Sequence, residues 1–351
     1  MDFRPYLEMM VAKKASDLFV SAGSPVQIKI DGKFHRIGET HYTPALCREA
    51  VHSLLTEAQI AELDAKREID LGIGLAGCGR FRINAFHQRG SLGMVIRYLS
   101  TEIPSIDALQ LPPVLKEIVM HRRGIVLMVG ATGSGKSTTL AAMIEHRNLN
   151  SQGHILTIED PVEYLHPHKG CIVNQRELGD DTLSYAAALK SSLREAPDVI
   201  LIGEIRDRET MEAAIELSGT GHLAISTLHA NNAHQAMERI INLFPQAMHK
   251  TLFMDLSLNL RAIIAQRLVR TVEDKRAAVV EILVNTPHIA DLVREGRADE
   301  IKEAMADSSE GGMITFDDAL LALYREGRIS LEECLVHADS AANLEAQINF
   351  G

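Results

Sequence analysis

A glycine-rich loop that ends in a lysine and a hydroxyl residue is the stretch of this sequence with the clearest chemistry. Residues 130–137 read Gly-Ala-Thr-Gly-Ser-Gly-Lys-Ser and directly follow the apolar run 125–129. The order strand, glycine loop and helix is typical of a phosphate-binding loop, because glycines let successive backbone N–H groups turn toward one anion. The predicted phosphate-binding residues are Gly130, Ala131, Thr132, Gly133, Ser134, Gly135, Lys136, Ser137 and Thr138.

The final residues of this loop predict what the ligand is. A helix that begins near Gly135 adds unpaired N–H groups and the positive end of its dipole. We expect Lys136 to reach the β- and γ-phosphates of a nucleoside triphosphate and Ser137 to offer its hydroxyl to Mg²⁺. No Asn-Lys-x-Asp stretch selects guanine, so ATP is the expected nucleotide.

Two later apolar runs end in carboxylates. Residues 155–163 read Ile-Leu-Thr-Ile-Glu-Asp-Pro-Val-Glu, and residues 198–204 read Asp-Val-Ile-Leu-Ile-Gly-Glu. Parallel strands carry their active groups at their carboxyl ends, where a phosphate loop also lies. Glu159 or Glu163 could therefore hold magnesium or orient the attacking water, or this acidic run could be a solvated turn. Glu204 ends a strand that resembles a Walker B strand, whose acid binds magnesium through water.

Two histidines bracket a third strand-like run. His222 precedes the run 223–227 and His229 follows it, with Thr227 between them. Imidazoles can contact a γ-phosphate and change their hydrogen bonding on hydrolysis. We expect both histidines to lie beside the nucleotide, although each could instead be an ordinary core or surface residue.

Arginines cluster in the part of the chain that precedes the phosphate loop. Arg80 and Arg82 share one face of a predicted strand because side chains repeat every second residue, and Arg97 lies on the predicted return strand. They could supply positive charge to the nucleotide of a neighbouring subunit, as arginine fingers do. The alternative is cross-strand pairing with acids such as Asp70 or Glu68.

Composition excludes several classes of protein. The 351 residues carry a formal net charge of −11, no Trp and 4% aromatic residues, which disfavours nucleic acid as the main ligand. The four cysteines form no Cys-x-x-Cys pair, so we expect neither zinc nor disulfides. Apolar runs are too short to cross a bilayer and the first residues lack a signal-peptide core, so we expect a cytoplasmic protein.

The pattern of elements predicts two domains. Residues 1–100 read as a small α+β domain with a helix over 2–15, strands around the Asp31-Gly32 turn, a helix over 44–64 and a hairpin over 79–99. A proline-rich linker follows at 101–113. In 114–351, strands at 125–129, 155–159, 198–203 and 223–227 alternate with helices, which predicts an α/β domain with a parallel sheet. Beyond 248 we expect mostly helices and a strand over 277–284. The acidic stretch after 299 is expected to be a surface helix and tail that serves either partner contacts or solubility.

These blocks, in this order and spacing, closely resemble the secretion-type ATPases of type IV pili and type II secretion. The resemblance rests on residues 130–138, 155–163, 198–207 and 219–230, and it extends to 15–18 and 79–86. It implies a PAS-like N-terminal domain, a RecA-like P-loop NTPase domain, a six-membered ring and hydrolysis of MgATP. It assigns Glu163 as the catalytic carboxylate, Glu204 as the Walker B acid, and Arg80, Arg82 and Arg97 as contacts across subunits or domains.

Within this family the sequence is more similar to pilus retraction motors than to assembly motors, since it lacks a long N-terminal extension and a four-cysteine zinc insertion. The principal retraction motor carries Ala-Ile-Arg-Asn-Leu-Ile-Arg-Glu, where residues 288–295 read His-Ile-Ala-Asp-Leu-Val-Arg-Glu. His288 and Ala290 are the main departures, and they indicate an accessory retraction motor.

The resemblance also implies partners and a location. The partners are further copies of the chain in a hexamer, the principal retraction motor and an inner-membrane pilus platform protein, and the location is the cytoplasmic side of the inner membrane at the pilus base. Two alternatives stay open: a RecA-type nucleic-acid motor, and a nucleotide-dependent adaptor that supports the principal motor.

Overall fold

The computed structural model describes residues 2–30, 32–75, 77–99, 102–307 and 310–350. The chain divides into two compact units. The first comprises the described residues up to Glu102 together with Glu163–Leu165, and the second comprises Ile103–Val162 and the described residues from His166 onward. Of the linker region, Ser100 and Thr101 lie outside the described residues, as does Asp31 of the expected turn.

The first unit is built on an antiparallel sheet. Within the described residues it has six strands in the order β3-β2-β1-β6-β5-β4. Their bounds are β1 Asp17–Val20, β2 Val26–Ile30, β3 Lys33–Ile37, β4 Glu68–Leu75, β5 Gly79–Gln88 and β6 Ser91–Leu99. The hairpin β5–β6 was predicted, and Arg82 lies directly opposite Arg97 in its register.

Three helices cover this sheet: α1 Arg4–Ala12, α2 Pro44–His52 and α3 Glu57–Lys66. Leu7 and Met10 of α1 and Cys47 and Val51 of α2 are buried with the inward residues of the strands. The single helix expected over 44–64 is wrong. Thr56 begins a new helix because its hydroxyl accepts the N–H of Gln59 while the Gln59 side chain accepts the N–H of Thr56.

The second unit is built on a mixed sheet. Among its described residues, seven strands lie in the order β13-β12-β7-β11-β10-β8-β9, parallel except for the antiparallel pair β12–β13. Their bounds are β7 Gly124–Val129, β8 Gly153–Glu159, β9 Cys171–Glu177, β10 Val199–Ile202, β11 Leu223–Leu228, β12 Leu260–Arg270 and β13 Arg276–Val284. The predicted order of strands and helices places the phosphate loop after the central strand β7.

Helices cover both faces of this sheet. They are α4 Val114–Val119, α5 Lys136–Asn150, α6 Tyr185–Ser192, α7 Arg208–Gly219, α8 Ala233–Asn242, α9 His249–Asn259, α10 Pro287–Arg294, α11 Ile301–Ala306, α12 Phe316–Arg325, α13 Leu331–Val336 and α14 Ala341–Phe350. The side chains of β7 alternate between two buried clusters: Ile125, Leu127 and Val129 join one, and Val126 and Met128 join the other. Two apolar faces on one strand explain its unbroken hydrophobic sequence. The α/β prediction is confirmed.

Three strands were not predicted. β4 carries apolar residues at every second position from Ile69 to Leu75, a strand pattern that was available in the sequence. β12 contains the run Ala262–Ala265, whose apolar residues also suit a helix; pairing with β7 on one side and β13 on the other makes it a strand. β9 has only three apolar residues at its start and lies at the sheet edge.

In the described part of the chain, no helix combines the length and apolarity that crossing a bilayer requires.

Candidate functional site

The phosphate loop lies at the carboxyl edge of the central strand of the second unit. β7 ends at Val129, residues 130–135 turn, and α5 begins at Lys136, with Gly135 as its N-cap in a left-handed conformation (φ 86°). The first N–H groups of an α-helix have no partner within the helix, so the start of α5 is available to an anion. The predicted strand–loop–helix arrangement is confirmed.

Glycine at position 130 is required by the packing of the loop. A Cβ there would lie 2.5 Å from the carbonyl oxygen of Gln266 and 2.6 Å from Ser134 Oγ. Ser134 is buried, and its hydroxyl has no hydrogen-bond partner among the described residues. Lys136 Nζ donates to the carbonyl oxygens of Gly130 (2.8 Å) and Ala131 (2.9 Å). The ammonium therefore lies folded against the loop. It is predicted to bind the phosphates of the nucleotide that this loop would hold.

Gln266 was not predicted, and it clamps the phosphate loop from the neighbouring strand β12. Its side-chain Nε2 donates to the carbonyl of Ser134 (2.7 Å), and its Oε1 accepts the hydroxyl of Thr139 in α5 (2.7 Å). Gln266 is 1% exposed, so both hydrogen bonds are shielded from water. A polar residue directly after the apolar run 262–265 was the available signal, but it gains meaning only once 260–270 is known to be a strand beside β7.

A cavity of about 710 Å³ lies against residues 130–134. Its other walls include Asn231, Arg267 and the stretch 336–339. Arg267 donates to the carbonyl of His337 (2.7 Å) and pairs with Asp339 (2.7 Å), so the C-terminal stretch is fastened to β12. Residues 336–339 of the expected surface tail therefore form a wall of the cavity, and Val336 among them is exposed.

The acid of the Walker B stretch lies at the same edge of the sheet. Glu204 follows β10, and its carboxylate contacts two side chains: Nε2 of His229 lies 3.0 Å from Oε1, and Nε of Arg206 lies 2.7 Å from Oε2. A second cavity, of about 550 Å³, is lined by His229 together with Gly130 and Ala131. Because Leu228 pairs with Val129, His229 and Gly130 leave their strands side by side. The structure thus brings His229, Glu204 and the phosphate loop to one edge.

The second predicted histidine lies at the opposite edge. His222 precedes β11, and its carbonyl accepts the N–H of Gly124, the first residue of β7. Its ring Nδ1 lies 3.0 Å from the carbonyl of Leu217 and 3.1 Å from Thr220 Oγ1. The expectation that His222 lies beside the nucleotide is wrong within this unit, because β11 runs its full length between the two histidines.

The acidic run after β8 is divided. Glu159 ends the strand, and its Oε1 accepts hydrogen bonds from Thr157 Oγ1 (2.6 Å) and Gln175 Nε2 (3.1 Å). Glu163 is exposed and belongs to the first compact unit, and it does not line either cavity at the phosphate loop.

Among the described residues, no three His, Cys, Asp or Glu side chains converge as a metal-binding group. Ser137, Glu204 and Glu159 are hard oxygen donors of the kind that suits Mg²⁺, which needs few protein ligands when it is shared with phosphates.

The three predicted arginines lie in the first unit and are engaged there. Arg82 Nε donates to Asp70 Oδ1 (2.9 Å), and Arg97 Nε lies 2.9 Å from Asp17 Oδ1. The guanidinium of Arg80 lies over Gly72, where a Cβ would be 2.7 Å from Nη2. Cross-strand pairing, the alternative interpretation, is therefore observed for Arg82 with Asp70, and the role across subunits stays a prediction for all three.

A phosphate loop at the carboxyl edge of a largely parallel sheet, with acids ending two adjacent strands, defines a P-loop nucleotide-binding protein. Residues 2–305 match the family described as Type II/IV secretion system protein, and the chain belongs to this family. Over its full length it is 51% identical to the type IV pilus ATPase PilU of Pseudomonas aeruginosa, of which it covers 92%. It is 39% identical to the type IV pilus retraction ATPase PilT of the same organism, over 95% of this chain and 96% of that protein.

Solved structures show the same fold. The pilus retraction motor PilT with bound ADP has a TM-score of 0.92 and 36% identity, and the alignment covers 98% of this chain and 99% of that one. The ATPase DotB of Legionella pneumophila has a TM-score of 0.80 and 26% identity, covering 95% and 94%. These similarities and the mixed sheet confirm the prediction of a RecA-like unit, whereas the PAS-like description of the first unit stays a prediction.

Proposed function

We propose that this chain binds MgATP, hydrolyses it and works as a motor of type IV pilus retraction. One observation carries the proposal: the phosphate loop and Glu204 occupy one sheet edge in a chain that is 51% identical, over its full length, to a type IV pilus ATPase. A structural neighbour with 36% identity is a pilus retraction motor with ADP bound.

The nucleotide would lie in the cavity along residues 130–134, with its phosphates on the N–H groups of the loop and of the first turn of α5. Lys136 would exchange the carbonyls of Gly130 and Ala131 for the β- and γ-phosphates. Ser137 and Glu204 would hold Mg²⁺, with Glu159 as a further candidate ligand; the ion, when bound, neutralises charge on the phosphates.

Hydrolysis would use residues outside the phosphate loop. Glu163 would orient the attacking water, and His229 would hold the Glu204 carboxylate and respond to loss of the γ-phosphate. Arg80, Arg82 and Arg97 would supply charge to the nucleotide of a neighbouring subunit, which requires Arg82 and Arg97 to give up Asp70 and Asp17. His222 has no part in this proposal.

The proposed assembly is a homo-hexamer of two-domain subunits, with domains at 1–100 and 114–351 joined by a linker at 101–113. Closure of each subunit interface would order the groups around the nucleotide, and phosphate release would free them. The proposed partners are the principal retraction motor and the inner-membrane pilus platform protein, on the cytoplasmic side of the inner membrane at the pilus base. Neither nucleic acid nor a membrane span has a role.

A second candidate function is that of a nucleotide-dependent adaptor for the principal motor. It is favoured by the departure from the retraction-motor signature at His288, which is exposed on α10, and at Ala290. The greater identity to PilU than to PilT agrees with this candidate.

ATP turnover distinguishes motor from adaptor. Phosphate release would be measured with the purified chain alone, with the principal motor alone and with both. A motor hydrolyses ATP by itself and loses turnover on Glu163→Gln. An adaptor raises the turnover of the principal motor. It does so even when the adaptor carries Glu163→Gln. Twitching assays in cells that lack each protein separately then show whether this chain contributes to retraction.

A further inference from the structure

Glu163 lies on a three-residue excursion of the chain. Val162 and His166 belong to the second compact unit, whereas Glu163–Leu165 belong to the first. Val162 is 1% exposed and His166 is 8% exposed, while Glu163 is exposed. The chain therefore leaves a buried position, presents Glu163 and returns to a buried position within five residues.

The edge strand β9 holds both ends of this excursion. The N–H of Val162 donates to Glu177 Oε2 (3.2 Å), and the N–H of His166 donates to Gln175 Oε1 (2.8 Å). Gln175 and Glu177 are two residues apart, so their side chains lie on the same face of the strand. One strand thus accepts a hydrogen bond from the residue before Glu163–Leu165 and from the residue after it.

The same face of β9 is tied to the catalytic edge of the sheet. Gln175 Nε2 donates to Glu159 Oε1 (3.1 Å), and Glu177 lies opposite Glu159 in the parallel register. At the C-terminal end of the excursion, the His166 ring lies 3.5 Å from Glu145 Oε2. Asn148 Nδ2 contacts the same oxygen at 3.3 Å. Glu145 is part of α5, the helix that begins at Lys136. The returning end of the excursion is thereby fastened to the phosphate-loop helix as well.

We propose that Gln175 and Glu177 are positioning residues, which fix the backbone on either side of Glu163 and so set where its carboxylate lies. This inference rests on the proposed function, in which Glu163 orients the attacking water. In this proposal both side chains act through the backbone of Val162 and His166. Their effect is on geometry, to which hydrolysis is sensitive, since a displacement of about 1 Å can cost about 10²-fold in rate.

The test uses methionine, which retains an unbranched side chain of similar length but accepts no comparable hydrogen bond. Gln175→Met and Glu177→Met are expected to lower kcat by about 10- to 100-fold. In Glu177→Met the Kd for a fluorescent ATP analogue should change less than about threefold, because the phosphate loop is untouched and the hydrogen bond from Gln175 to Glu159 is kept. Glu177→Gln keeps an oxygen for the Val162 N–H and should restore kcat.

Asn174→Ala is the matched control. Asn174 lies on the other face of β9 and is exposed. Its Oδ1 accepts a hydrogen bond from Nε2 of His154 (2.9 Å). Its removal deletes an amide from the same strand without touching residues 162–166, so kcat should stay unchanged. Hydrogen exchange of the peptide spanning 160–167 should accelerate in the two methionine variants and not in Asn174→Ala.

The possible results separate the two proposals. Unchanged kcat in both methionine variants, with turnover lost in Glu163→Gln, would overturn the positioning role and leave the proposed function intact. A joint loss of kcat, nucleotide affinity and thermal stability that Glu177→Gln does not rescue would also overturn it, since β9 would then be only structural. Unchanged turnover in Glu163→Gln would instead refute the assignment of Glu163 itself.

Discussion

His229 Nε2 lies 3.0 Å from Glu204 Oε1, across the gap between the ends of two neighbouring parallel strands. The two residues are 25 positions apart in the sequence, and the side-by-side register of β10 and β11 brings them together. Arg206 contacts the other oxygen of the same carboxylate. The carboxylate of Glu204 is thus contacted on both oxygens at the edge that carries the phosphate loop.

This contact predicts unequal roles for the two histidines. His229→Ala should lower kcat by about 10- to 100-fold, because Glu204 loses one of the partners that orient it. His222→Ala should have a much smaller effect, since His222 lies at the other end of β11. Steady-state phosphate release from both variants tests this difference, and equal losses would contradict the placement of the site at the carboxyl edge.

Gln266 should support both folding and nucleotide binding. Gln266→Leu leaves the carbonyl of Ser134 and the hydroxyl of Thr139 unpaired in a buried place, at about 1–3 kcal/mol each. We expect the melting temperature to fall by roughly 2–4 °C for each kcal/mol lost, with weaker ADP binding because the loop is no longer clamped. Gln152→Leu makes the same replacement at an exposed position and should leave both unchanged. A stable Gln266→Leu protein with full affinity would show that the clamp is dispensable.

Lys136 should matter for the nucleotide far more than for the fold. Its ammonium contacts two loop carbonyls, and Lys136→Ala removes these contacts without exposing the core. Losing one charged hydrogen-bond donor costs about 1.5–3 kcal/mol, so ATP affinity should fall about 10- to 150-fold and turnover should be lost. Titration with a fluorescent nucleotide measures the change, and exposed Lys250→Ala is the control. Retained affinity in Lys136→Ala would place the phosphates elsewhere.

Glu281 should make stability fall as pH rises. Burial raises the pKa of Glu281 to about 7, although its carboxylate accepts the N–H of Ala233 at the start of α8. A folded-state pKa above the unfolded value means that the native protein binds the proton more tightly. The contribution of Glu281 to the free energy of unfolding is complete below about pH 4. It is lost as pH rises through about 7, at about 1.4 kcal/mol per unit of pKa difference between the folded and unfolded states.

Urea unfolding between pH 4 and pH 8 measures the slope in the wild type and in Glu281→Gln, which keeps an acceptor for the N–H of Ala233. The stability of the wild type relative to the variant should fall as pH rises, and an identical slope in the two proteins would contradict the assignment to Glu281.

The parts of the site that follow from one continuous stretch were predictable from the sequence. Residues 125–137 contain the strand, the glycines and the lysine in order, so local chemistry determines the loop. The position of the Glu204 carboxylate at the edge of the sheet was predictable for the same reason, because Glu204 follows an unbroken apolar strand. Arg82 was open to two interpretations, and its pairing with Asp70 depends on β4, a strand that was not predicted.

The parts that depend on pairing between distant strands were not predictable. Gln266 contacts Ser134 across 132 residues, and nothing local in 260–270 distinguishes a strand beside β7 from a helix. Residues 336–339 reach the cavity only because Arg267 pairs with Asp339, 72 residues away. His222 was misplaced because two histidines that flank one strand look equivalent in sequence, while the strand separates them in space.

Phosphate release by the Glu163→Gln variant, measured beside its nucleotide affinity, tests the central claim most directly. We predict that the wild-type chain hydrolyses MgATP, and that the variant binds ATP with unchanged Kd while its turnover falls by about 10²-fold or more, since an amide cannot act as the base. Wild-type turnover that persists in Glu163→Gln, or a wild-type chain that binds no ATP in the presence of magnesium, would contradict the account.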